Sequence, residues 1–287
     1  METTNPTYAS NRSMASTRHL SILAAVLVAM TSACTATAFS QQSDPHAKQL
    51  LESAVQTEFS AAQRDHSVWT YRDHDKTDEK DAVYQAVDSL HGGVRRMIEL
   101  DGRPVDSATA QSETERISTF VHDRSAQAKQ RKSNAHDDQQ ATEMLKMLPE
   151  AFIWTVKSES PEYVTLEFRP NPDFSPPNME ARVMGTMAGE MVIARADNRI
   201  RTLRGALTQD VKFGWGLFGK LRQGGTFDIE RREIAPHIWQ ITESRVHIGG
   251  RALLFKNIGQ QEDEIKSDWK PSTAKTLEEA AQQLGAG

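Results

Sequence analysis

The chain has 287 residues, 38% hydrophobic and 25% charged, enough apolar content for one or two globular domains and too much for wholesale disorder. Its 34 Lys and Arg stand against 39 Asp and Glu, a net charge of -5, so no basic surface dominates and nucleic acid is not an expected partner. A single cysteine, Cys34, excludes both an intramolecular disulfide and a CxxC metal or redox pair.

Arg12 and Arg18 precede the apolar run LSILAAVLVAM at 20–30, and small residues follow, the layout of a secretory signal. A bilayer-spanning helix needs about 20 apolar residues, so this shorter run reads as a leader rather than an anchor. Ala36-Thr37-Ala38 fits a small-x-small cleavage site, which makes 1–38 the signal peptide and 39–287 a single exported, periplasmic domain. The competing route is a lipobox-like Thr31-Ser32-Ala33-Cys34, which would leave the chain lipid-anchored through Cys34.

Leu50, Leu51, Ala54, Val55 and Phe59 recur at three- and four-residue spacings and predict an amphipathic helix over 45–64. Runs rich in β-branched and aromatic residues predict strands at 68–72, 82–87 and 94–100, with the acidic DHDKTDEKD as a charged hairpin turn and Asp101-Gly102 before Pro104 as another turn. Counted from Asp73, that acidic run fails the EF-hand pattern, having Tyr84 where the bidentate Glu belongs. From 107 to 140 the chain is Gln, Ala, Ser and charge, with Ile117, Phe120 and Val121 as apolar anchors, so a polar helical or mobile insertion is expected. The basic Lys129, Arg131 and Lys132 near Asp137 and Asp138 read as a solvated face. Apolar spacing resumes at Met144, Leu145, Leu148 and Phe152, with Pro149 limiting the helix.

Alternation takes over from Tyr163, where Val164, Leu166 and Phe168 face one side and Thr165, Glu167 and Arg169 the other. Further strands are expected at 180–195, 199–213, 226–233, 238–248 and 251–266, with Ala196-Asp197-Asn198 as a hairpin turn and Gly249-Gly250 separating the last pair. The terminal LEEAAQQL reads as a short helix or a frayed tail. Along 226–233, Asp228, Glu230 and Arg232 share the solvent face and suit cross-strand salt bridges, while Phe227 and Ile229 point inward.

Gly214, Gly216 and Gly219 satisfy GxGxxG, but Gly224-Gly225 follow too soon for the helix a phosphate loop needs. Leu221 also replaces the hydroxyl of GxxxxGK[ST], so the segment reads as an apolar loop exposing Phe213, Trp215, Leu217 and Phe218, able to gate a cavity, touch a membrane or cap the core. GxSxG and HExxH are missing and the nine histidines are dispersed, so no catalytic residue, metal site or cofactor is expected.

A helix near the mature start followed by a meander containing GEMVIARADNRIRTLRGAL resembles the outer-membrane lipoprotein-sorting (LolA-like) family over roughly 47–271, best at 189–207. The blocks FRPNPDFSPP, VKFGWGLFGKL and GRALLFKNI resemble those of uncharacterised exported proteins of the same broad group. The resemblance implies an α+β fold, a strongly curved antiparallel sheet forming an incomplete barrel with helices on its concave face, here of about eight to ten strands. It further implies noncatalytic binding of an acyl chain or lipoprotein lipid. Phe213, Trp215, Phe218, Phe227 and Trp239 are the candidate lining residues. No hooking arginine is assigned, since Arg182, Arg199, Arg201 and Arg204 qualify by neighbourhood alone. The alternative is an envelope protein-interaction module with a closed core.

Overall fold

The computed structural model describes residues 42–213, 219–252 and 257–285. The expected leader with Cys34, and Trp215 and Phe218 of the Gly-rich loop, lie outside the described residues. Helix α1 (Pro45–Arg64) forms where the apolar spacing predicts it. Asp44 caps it by accepting from His46 N, and Pro45 occupies the first turn, where a missing N–H costs nothing. Its buried stripe is Ala47, Leu51, Ala54, Val55 and Glu58, four apolar residues and one carboxylate.

Strands β1 (Trp69–Thr77), β2 (Asp81–Ser89), β3 (Gly92–Leu100) and the short β4 (Arg103–Pro104) follow. The acidic run corrects the sequence reading: Asp73 and Asp75 belong to β1, and the turn is confined to the residues just before Asp81. The polar stretch is helical throughout, as α2 (Ser107–His122) and α3 (Arg124–Ala151). Asp123 divides them, its side chain accepting from Ser125 N and Ala126 N while its own N–H bonds back to Thr119 O and Phe120 O. At 1.5 Å per residue α3 is about 42 Å long. It is held at its ends, by Gln127 on the Phe120 and Val121 carbonyls and by Met144, Leu145, Met147 and Leu148 in the core. Residues 131–139 between are exposed on every side, so the helix stands off as an arch. Pro149 does not stop the helix, which ends two residues later where Phe152 turns extended.

The second half comprises β5 (Phe152–Glu159), β6 (Tyr163–Pro170), α4 (Met179–Met184), β7 (Met187–Ala194), β8 (Arg199–Leu207), β9 (Val211–Phe213), β10 (Gly219–Leu221), β11 (Thr226–Ala235), β12 (Ile238–Ala252), β13 (Asn257–Pro271) and α5 (Leu277–Gln283). Helix α4 opens the segment expected to be strand from 180, because Asn178 accepts from Ala181 N and caps a turn. Gly249 and Gly250 do not break a hairpin; they lie within β12, opposite Gly259 and Ile258. Asn198, with φ 52°, makes the expected turn between β7 and β8.

All pairings are antiparallel, in the order β4-β3-β2-β1-β13-β12-β11-β8-β7-β6-β5, with β10 joining β9 and β12. The thirteen-stranded sheet is not closed into a barrel: its path ends at β4 and β5. The count exceeds the expected eight to ten because short pieces such as β4, β9 and β10 carry too few residues for an alternation signal.

Two apolar clusters flank the middle of the sheet. In the larger, α1 and the end of α3 pack on β5 to β8 around Trp154, Phe168, Leu166 and Met191. In the smaller, α2 and α5 close over Val87 and Val94 through Ile117, Val121, Leu277, Ala280 and Ala281. The C-terminal helix is therefore docked rather than frayed. Gly189 and Gly205 are directly paired on β7 and β8. A Cβ on Gly189 would lie 2.0 Å from Arg204 O, and one on Gly205 2.9 Å from the Phe227 ring. Overpacking against backbone costs about 1–3 kcal/mol, so Gly189→Ala is expected to lose about that much in urea denaturation; wild-type stability would contradict the tight pairing.

Candidate functional site

Ladder register fixes which side chains share a face. Met191 of the core is opposite Leu203, Leu203 opposite Ile229, Ile229 opposite Ser244, Ser244 opposite Glu264, and Glu264 opposite Asp75. A neighbouring row runs Gly205, Phe227, Val246, Glu262, Thr77. On the same face Asp73 is opposite Lys266 on one side and Tyr84 on the other. The face that begins as the main core therefore continues across β11, β12, β13 and β1. Helix α1 packs on β5 and β8; on β2 and β3 this face carries Tyr84, Ala86, Asp88 and Arg95, whereas Val87 and Val94, which α2 and α5 cover, point the other way. Phe227, Ile229, Ser244, Val246, Ile248 and Glu264 are each half-buried there. The strip is a trough, apolar toward β11 and charged toward β1.

Phe213, Leu221, Phe227 and Ile248 border the main core at the apolar end. Two of the sequence-predicted lining residues, Phe213 and Phe227, thus come together. At the charged end Arg95 Nη1 donates to Asp73 Oδ2 at 2.8 Å and Arg95 Nη2 to Asp75 Oδ2 at 3.5 Å, while Lys266 Nζ is 3.2 Å from Glu264 Oε1. Tyr71 stacks on Trp269 with centroids 4.5 Å apart. A cavity of about 330 Å³ opens between Tyr71, Asp88 and Arg95 on the sheet and Phe120, Gln130 and Asn134 on α2 and α3. Burial holds the carboxyls of Asp88 and Glu264 above their ordinary range, with the Asp73 charge adding to the effect at Glu264. Burial, then the charges of Asp88, Asp73 and Glu264, pushes the Tyr71 phenol up as well.

Trp239 lies elsewhere, in a cleft of about 610 Å³ between the C-terminal half of α1 and two hairpin turns. Its floor is an ion triad. Glu58 accepts from Arg199 Nε at 3.1 Å, Arg199 Nη2 at 2.9 Å and Ile200 N at 2.8 Å, and lies 2.6 Å from Arg231 Nη1. Trp239 Nε1 donates to Asp197 Oδ2 at 3.4 Å, and His237 Nδ1 is 3.0 Å from Asp197 Oδ1. Asp197, Glu233 and His237 place ligating atoms within 4.8 Å of one another and could hold a metal ion; Glu233 and His237 are exposed. Sequence reasoning missed this group because its members come from two separate turns brought together by the β8–β11 pairing. It missed the charged half of the trough for a similar reason, since Asp73 and Glu264 meet through strands far apart in the chain.

The arginines near the resemblance segment do not point at the trough. Arg201 reaches Tyr163 and Glu230, and Arg204 lies 3.7 Å from Asp228, on the opposite face. There the expected salt-bridge ladder forms, with Arg232 contacting Glu230 at 3.0 Å and Glu243 at 3.1 Å. Arg199 is consumed by Glu58.

No family model and no curated protein matches the chain. Among solved structures, a domain from Vibrio parahaemolyticus named for outer membrane lipoprotein sorting aligns at 10% identity and a TM-score of 0.27, over 83% of this chain and 100% of that one. Among the described residues no helix is long and apolar enough to cross a membrane.

Proposed function

We propose that the protein is a noncatalytic binder of an acyl chain or lipoprotein lipid in the cell envelope, with the chain lying along the apolar half of the trough. One observation carries the reading: Phe213, Leu221, Phe227 and Ile248 rim the main core half-buried, on the face that continues from under α1 across β11 to β1. Apolar surface left there gains about 25 cal/mol per Å² when a ligand removes it from water, before ordering costs. The signal-like segment at 20–30 supports an envelope location, periplasmic or tethered through Cys34.

Ile229 and Phe227 test the surface directly. Ile229→Ala and Phe227→Ala are each expected to weaken binding of 1-dodecanol by about fivefold, the value of roughly 1 kcal/mol of lost burial. Calorimetric titration reads the affinity and far-UV circular dichroism the fold; unchanged affinity in folded variants would remove the trough from the account.

The second reading, an envelope protein-interaction module with a closed core, draws on α3, whose residues 131–139 are exposed and carry both charge signs. Under it, capture of an envelope partner depends on α3 and the alcohol does not bind.

A further inference from the structure

We propose that the charged end of the trough binds the ammonium headgroup of an amphiphile whose chain lies on the Phe227 side, so that the ligand is a cationic amphiphile; this rests on the acyl-chain reading above. Among the described residues the face carries five carboxylates at this end, Asp73, Asp75, Asp88, Glu262 and Glu264, with Arg95 and Lys266 between them and two cations at the margin, Arg116 on the cavity wall, paired with Glu113, and Lys80 over the Tyr84 ring. Arg95 is shared between Asp73 and Asp75, and Lys266 serves Glu264. Asp75 and Glu264 stand directly opposite each other, a like-charge cross-strand pair that destabilises a sheet unless a positive charge sits nearby.

Two buried oxygens are unanswered. Among the described residues Asp73 Oδ1 and Asp75 Oδ1 have no hydrogen-bond partner, and the Asp73 side chain is only 5% exposed. A buried carboxylate oxygen left without a donor costs more than most native structures retain. Such a deficit calls for a cation that can donate several hydrogen bonds. A bare metal ion suits the geometry poorly: among the described residues no three of these carboxylates bring ligating atoms within 4.8 Å of one another. An ammonium group has three donors and tolerates wider spacing, and the adjacent cavity of about 330 Å³, walled by Tyr71 and Asp88, gives it room.

The two halves match one molecule in length. With neighbouring strands about 4.8 Å apart, the three steps from Leu203 on β8, at the core edge, to the carboxylates of β13 span about 14 Å, comparable to an extended dodecyl chain. The register sets the sequence of surfaces along that path: Phe227 and Ile229, then Val246 and Ser244, then Glu262 and Glu264, then Asp75. An alkyl tail leaving the core side meets the carboxylates at its other end.

The test compares three probes of one chain length, each below its critical micelle concentration, by calorimetric titration of the purified protein: dodecylammonium, 1-dodecanol and dodecanoate. The expected order is ammonium tightest, by about tenfold over the alcohol, with dodecanoate weakest. Glu264→Gln alone is expected to fold, because it removes one of two opposed charges, and to narrow the ammonium advantage; Glu264→Gln with Asp88→Asn should bring it within about twofold while the alcohol affinity stays unchanged. Raising the salt concentration should narrow it in the wild type as well. Equal binding of ammonium and alcohol would overturn the headgroup site and leave the chain site standing. Failure of all three probes would overturn the chain site itself, and an ammonium advantage that survives both substitutions would overturn the assignment to these carboxylates.

Discussion

Glu58→Ala is expected to destabilise the protein by about 3–5 kcal/mol, the range for removing one partner of a buried ion pair. The carboxylate sits in the buried stripe of α1 and is the shared acceptor for Arg199 and Arg231, whose side chains are 8% and 19% exposed. Its loss leaves two guanidinium groups without a counter-charge beneath the helix and deletes the acceptor of Ile200 N. Urea denaturation at neutral pH measures the loss, and a change under about 1 kcal/mol would show that water replaces the carboxylate freely. The same group shapes the acid response. Burial drives its carboxyl upward, but hydrogen bonds and charge from Arg199 and Arg231 outweigh this and hold the folded pKa below its ordinary 4.5. Around that value the unfolded chain binds more protons than the folded one, so the stabilisation is complete above it and is lost as pH falls through the lower folded value. Glu264 and Asp88 act with the opposite sign, since their raised folded values make their contribution favourable at acid pH and lost as pH rises through them. Glu58→Ala should therefore flatten the acid limb of the stability profile, and an unchanged limb would place its origin elsewhere.

Trp154→Ala should cost about 3–5 kcal/mol, the usual loss for truncating a fully buried aromatic side chain. Trp154 has no exposed surface and packs 5.1 Å from the Phe168 ring and 5.9 Å from Phe152, with Nε1 donating to Leu148 O at 2.9 Å. Its backbone also ties the N-terminus of α1 to β5: Asp44 N donates to Trp154 O, and Trp154 N to Ser43 Oγ. The substitution thus removes the peg on which α1 and the end of α3 are hung. Thermal unfolding followed by circular dichroism should show a large drop in midpoint. Trp154→Phe should recover part of it, because the ring volume returns without the indole hydrogen bond.

What the sequence made legible follows the range of each signal. The stripe from Leu50 to Phe59 announced α1, and the strict alternation of Val164, Leu166 and Phe168 announced β6, because both patterns are local. The Asp228 and Glu230 ladder was legible for the same reason. Helix α4 was hidden because its signal is a six-residue turn capped by Asn178. Gly249 and Gly250 read as a break although β12 continues through them, since strand pairing supplies what local propensity withholds. Of the residues singled out by type, Phe213 and Phe227 border the main core together, whereas Trp239 lies in a different cleft, a placement decided by a hairpin turn rather than by its own residue type. The charged half of the trough required the β1–β13 pairing, which joins residues near 73 to residues near 266 and leaves no trace in either segment alone.

Native mass spectrometry of protein purified from the cell envelope without detergent tests the central claim most directly. The account predicts a copurifying acyl species, released as its extracted mass and displaced by an added twelve-carbon amphiphile. A ligand-free protein that also refuses such amphiphiles would contradict it and would make the exposed arch of α3 the surface to pursue.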